Sequence, residues 1–141
     1  TQHLNELAGL EAGSLLANAG TIRPHLTAES YPLWNEVKKI CDASGRRADR
    51  LSAIINGLEL QEAPVRYDTD IADHNYDALV HLLPIFIGEK QQLIDAYDEA
   101  IEALSEDEVV TMLTDFREAH VEEKRTLQEH LDTLAGSSPA A

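Results

Sequence analysis

Apolar residues recur at intervals of three and four along four stretches of this chain, and no sustained alternation of the strand type interrupts them. The first stretch carries Leu4, Leu7, Leu15 and Ile22 and stops before Pro24. The second carries Trp34, Val37, Cys41, Leu51, Ile55 and Leu58, with Ser30 placed as an N-cap and Pro64 just beyond its end. The third runs from about Ile71 through Leu79, Leu82, Phe86, Leu93, Tyr97, Ile101 and Leu104. The fourth carries Val109, Leu113, Phe116, Leu127, Leu131 and Leu134; the capping-box run Ser105 to Glu108 marks its start and Gly136 its end. The pattern predicts an all-α protein, an antiparallel four-helix bundle built from two helical hairpins over residues 1–135, followed by a disordered tail over 136–141.

Only a few residues join the third and fourth helices, which makes them antiparallel neighbours, and the segment 61–70 is the crossing between the hairpins. Pro84 falls inside the third helix, where a kink or a fresh start is expected. Gly9, Gly13, Gly45 and Gly57 interrupt helical stretches and suggest close backbone approach. The hairpins also match each other. An offset of 78 places Leu4 on Leu82, Glu11 on Glu89 and Leu15 on Leu93; an offset of 76 places Ser44 on His120, Arg47 on Glu123 and Leu51 on Leu127.

Extended through each helix, the apolar rhythm turns polar groups inward at mid-height. Glu11 continues Leu4 and Leu7, Glu89 continues Leu82 and Phe86, and His120 and Glu123 continue Leu113 and Phe116. In the second helix Ser44 takes an inward position with Arg47 beside it. Three inward carboxylates need protons, cations or metal, because a buried unpaired charge costs several kcal/mol. Two readings follow from the residues. In one, Glu11, Glu89, His120 and Glu123 hold a divalent ion such as iron, manganese or zinc. In the other, no metal is bound and Arg47 forks onto at least one of Glu11, Glu89 and Glu123 to form a buried ion network, with Tyr97 within reach of it.

An inward Glu from the first and third helices, with a Glu and a His three residues apart on a neighbour, resembles the ferritin-like carboxylate-bridged dimetal bundles. The segment LLPIFIGEKQQLIDAYDEAIEAL and the following SEDEVVTMLTDFREAHVEEKRTLQEHL are similar to the third and fourth helices of small bacterial ferritin-like proteins, some of them stress-associated. RRADRLSAIINGLEL resembles the helix that carries Glu-x-x-His in that family. Here Ser44 and Arg47 stand in that motif's place, and His120 and Glu123 come in reverse order, so the six-ligand set is incomplete. The resemblance implies the bundle fold, a possible stress-related role, and a degenerate metal site at Glu11, Glu89, His120 and Glu123. The alternative it leaves open is a non-catalytic interaction or structural module whose former metal site Arg47 fills. Either way, whether the chain is an enzyme stays open.

Charge narrows the partners. The net charge is −15, with 10 acidic and 7 basic residues in 1–70 against 16 and 4 in 71–141. Nucleic acid and anionic membranes are disfavoured as partners, since both are bound through Lys and Arg. Seven acids and no base lie between Asp95 and Glu108, making one end strongly negative. No apolar run reaches the roughly 18 residues of a membrane span, and no charged-then-apolar leader is visible, so a cytoplasmic location is expected. Cys41, the single cysteine, reads as a small buried hydrophobe. His3, His25, His74, His81 and His130 read as rim or surface groups. Tyr31, Trp34 and the run Leu82 to Ile87 exceed what one thin bundle hides, which predicts a homodimer; no protein partner can be named.

Overall fold

In the computed structural model, residues 2–19, 26, 28–57 and 79–137 are described. They contain four α-helices: α1 (Gln2–Gly13), α2 (Tyr31–Gly57), α3 (Leu79–Ala103) and α4 (Asp107–Ser137). A 3-10 turn, Ala28–Ser30, leads into α2, and Ser30 occupies the position from which an N-cap acts. No strand occurs among the described residues, and no described helix is long and apolar enough to cross a membrane. The crossing segment 61–70, Ile22, Leu58 and the residues from Ile71 to Ala78 lie outside the described residues.

α1 packs on α2 and α3 on α4, with further contacts of α1 on α3 and α2 on α4, which is the contact pattern of a bundle. The core is split into two clusters. One gathers Leu15, Leu16, Ala19, Leu33, Val37, Ile40, Leu82, Leu83, Phe86 and Leu127. The other gathers Leu4, Leu7, Leu51, Ile55, Leu93, Ala96, Tyr97, Ala100 and Leu113. The polar residues Glu11, Ser44, Arg47, Lys90, His120 and Glu123 fall between the two along α2, α3, α4 and along α1 with the turn that follows it, so they form one layer at mid-height.

Several local expectations shift. The first helical stretch ends early: α1 stops at Gly13, and residues 14–19 form a turn in which Ala19 and Asn18 donate backbone bonds to Leu16 and Leu15. Pro84 lies in α3, which runs through it without a break and leaves its ring exposed. α4 starts at Asp107, with Val110 N–H donating to the Glu106 carbonyl (2.9 Å), so its cap is Glu106, one residue past Ser105. At its other end α4 reaches Ser137, two residues into the expected tail; residues 138–141 lie outside the described residues. The expected close approach at glycines does not hold at Gly9, Gly45 or Gly57, since a Cβ at any of them would meet nothing within 4 Å. Their backbones face open space, whereas Gly13 is buried where α1 ends.

Candidate functional site

α1 delivers Glu11 to the centre of the polar layer, where both carboxylate oxygens are fully buried. Oε2 accepts from Ser44 Oγ–H (2.6 Å), and Oε1 accepts from Tyr97 O–H (2.6 Å), from Arg47 Nε (3.2 Å) and from His120 Nε2. Residues of the other three helices thus converge on one side chain, because positions 11, 44, 47, 97 and 120 each face the bundle interior.

Arg47 joins the two halves of the layer. Its Nη1 and Nη2 fork onto Glu123 Oε2 (3.1 Å) and Oε1 (2.8 Å) while its Nε faces Glu11. Arg47 and Glu123 are the pair that the 76-residue offset superposes, and here they meet each other. Lys90, only 1% exposed, completes the set by donating to Glu123 Oε1 (2.6 Å) and to His120 Nδ1 (2.9 Å). Two carboxylates and two cations make the layer formally neutral, with His120 and Tyr97 as uncharged members. No buried side-chain nitrogen or oxygen lacks a hydrogen-bond partner among the described residues.

The electrostatics follow from this packing. Burial alone would raise the Glu11 carboxyl, yet the hydrogen bonds offered by His120 and Ser44, together with the Arg47 charge, pull it down to about 2. Burial lowers His120, and the neighbouring Lys90 and Arg47 cations press the same way against Glu11, so the imidazole is held neutral. Burial likewise lowers Lys90 against the opposing pull of Glu123. For Arg47 burial is outweighed by Glu11 and Glu123, which raise it. Burial and the adjacent Glu11 charge keep the Tyr97 hydroxyl protonated.

Of the four residues expected to hold metal, Glu11, His120 and Glu123 come together in this layer. Glu89 is placed differently: its carboxylate accepts the backbone N–H groups of Leu15 (2.6 Å) and Leu16 (3.0 Å), the amides released where α1 breaks after Gly13. Its neighbour Lys90 supplies the α3 group of the polar layer. Sequence reasoning passed over Lys90, although Leu83, Phe86, Lys90, Leu93 and Tyr97 keep the same three-four spacing. Among the described residues no group of three or more His, Cys, Asp or Glu side chains is arranged to hold a metal ion. The donor set explains why: the lone pairs that a cation needs on Glu123, Glu11 and His120 Nδ1 are engaged by Arg47 and Lys90. These residues, as arranged, do not fit a divalent ion.

The other candidates sit as follows. Cys41 is half-buried, with its thiol donating to the Ala17 carbonyl (2.9 Å). His81 is exposed, His3 and His130 are half-buried, and His25 and His74 lie outside the described residues. No protein-family model, curated protein or solved structure matches this chain.

Proposed function

We propose that this protein is a non-catalytic, ferritin-like helical module in which an Arg–Lys–carboxylate network stands where the family holds its metal ions. The observation that carries the reading is the engagement of both central carboxylates by two cations, Arg47 bridging Glu11 and Glu123 while Lys90 bridges Glu123 and His120. A metal ion entering this layer would add charge to a set already neutral, and desolvating it beside two buried cations is unfavourable. The antiparallel two-hairpin topology belongs to the same proposal. It is supported by the order of the two core clusters, which come in opposite sequence along α1 with its following turn and along α2, and again along α3 and α4.

The stress-related role and the cytoplasmic location rest on the sequence resemblance and composition alone. For the homodimer, the apolar groups that suggested it are largely used within one chain: Leu82, Leu83 and Phe86 are buried, leaving Tyr31 (54% exposed), Ile85 and Val121 as the exposed large apolar residues among those described. A pairing face would have to be built around these.

Equilibrium dialysis against Fe(II), Mn(II) and Zn(II), followed by elemental analysis, tests the central reading. The expected result is no stoichiometric metal in the native protein. Two equivalents per chain, lost in Glu11→Gln, would return the protein to the dimetal class.

A further inference from the structure

α2 and α4 touch less closely than the hairpin pairs, and a groove opens between them over the small side chains Ala43 and Ala119. It has two lobes that share Ala43, Arg46 and Ala119. The larger, about 420 Å³, is lined by Glu36, Glu122 and Glu123 as well as Lys39, and each of its carboxylates has a cationic partner. The smaller, about 360 Å³, contains no acid at all; Arg46, Arg47, Arg50 and Phe116 wall it. Spacing explains the cluster, since positions 43, 46, 47 and 50 fall on one face of a helix.

The arginines of this lobe differ in how they are engaged. Arg47 is committed to the polar layer through Nε and both terminal nitrogens. Arg46 and Arg50 are exposed, one turn apart, and neither has an ion-pair partner among the described residues, whereas Arg117 and Arg125 each hold carboxylates. Asp42 and Asp49 stand close in sequence without reaching either. In a chain of 26 acids and 11 bases, two unpaired like charges at i, i+4 cost a few tenths of a kcal/mol and gain nothing from each other.

We propose that this acid-free lobe is a binding site for a small planar organic anion, an aromatic ring carrying a phosphate or carboxylate group. Arg46 and Arg50 receive the anion, because the guanidinium fork matches both oxyanions and is only weakly hydrated. Phe116, half-buried and set edge-on to Tyr97 with ring centroids 6.3 Å apart, offers the ring its apolar wall. Ala43 and Ala119 leave floor space that larger residues would fill. The volume lies at the lower end of the range for small-molecule sites, and the two exposed arginines hold the charged end of the ligand. This inference is independent of the reading of the core network.

The probe is 1-naphthyl phosphate, titrated by isothermal calorimetry and by amide chemical-shift mapping, with inorganic phosphate and 1-naphthol as separate arms. The expected outcome is saturable binding at least about tenfold tighter than either fragment, with shifts centred on Ala43, Arg46, Arg50 and Ala119. Arg46→Gln/Arg50→Gln should weaken it about tenfold without moving the melting temperature, both side chains being exposed. Phe116→Leu should bring naphthyl phosphate toward the affinity of phosphate alone. Three results overturn the proposal: absence of saturable binding, unchanged affinity in the double arginine variant, or shifts that map elsewhere.

Discussion

Lys90 Nζ lies 2.9 Å from His120 Nδ1, and this contact decides which nitrogen of the imidazole carries the proton. An ammonium only donates, so Nδ1 must accept and the ring proton resides on Nε2, aimed at Glu11 Oε1. Nitrogen-15 NMR of the imidazole should therefore show a neutral Nε2–H tautomer near neutral pH, titrating below the ordinary 6.5 because burial lowers this group. An imidazolium signal at pH 7 would contradict the arrangement.

Arg47→Ala strands Glu11 and half of Glu123 without their shared cation, and a loss of about 3 to 5 kcal/mol is expected in urea denaturation. Lys90→Met should cost less, roughly 1 to 3 kcal/mol, since the Arg47 fork still holds Glu123, which at 14% side-chain exposure also reaches water. The order of the two variants is the informative outcome. A larger loss for Lys90→Met would move the centre of the network to Lys90.

Acid unfolding should be steep. The Glu11 carboxyl lies near 2 when folded against an ordinary 4.5, so below the unfolded value the unfolded chain binds the extra proton. The stability that this group contributes is complete above about 4.5 and is lost as the pH falls toward 2, by about 3 kcal/mol at the limit. His120 acts in the same direction at higher pH, because its lowered value makes protonation below about 6.5 favour the unfolded chain. Stability measured against pH in Glu11→Gln should lack the lower step and retain the upper one.

Glu89→Ala removes the acceptor for two backbone amides at the break after α1. A loss of about 1 to 3 kcal/mol is expected, together with faster hydrogen exchange at Leu15 and Leu16. Glu89→Gln keeps one carbonyl acceptor and should fall between. Exchange rates unchanged in Glu89→Ala would remove the capping role.

Periodicity alone determined much of this protein. The 27 residues of α2 and the 31 of α4 stand where the three-four spacing puts them, and Glu11, Ser44, His120 and Glu123 fall inward at the heights that spacing assigns, with Arg47 beside Ser44 buried among them. A polar group embedded in a regular apolar stripe is visible without coordinates, because the stripe specifies which face meets the core. The contact of Arg47 with Glu11 and Glu123 follows from the same reasoning joined to charge balance.

Tertiary structure decided the rotation of α3. Glu89 and Lys90 are neighbours about 100° apart, and the stripe around them is doubled at Leu82 and Leu83 and at Leu93 and Ile94, wide enough to admit either. Packing against α4 puts Lys90 beside His120 and Glu123, and the broken end of α1 takes Glu89 as its cap. That break is itself a tertiary effect. The amides of Leu15 and Leu16 leave the helical ladder where a carboxylate from another helix, 74 and 73 residues away, replaces the lost partners, and no local window contains that carboxylate.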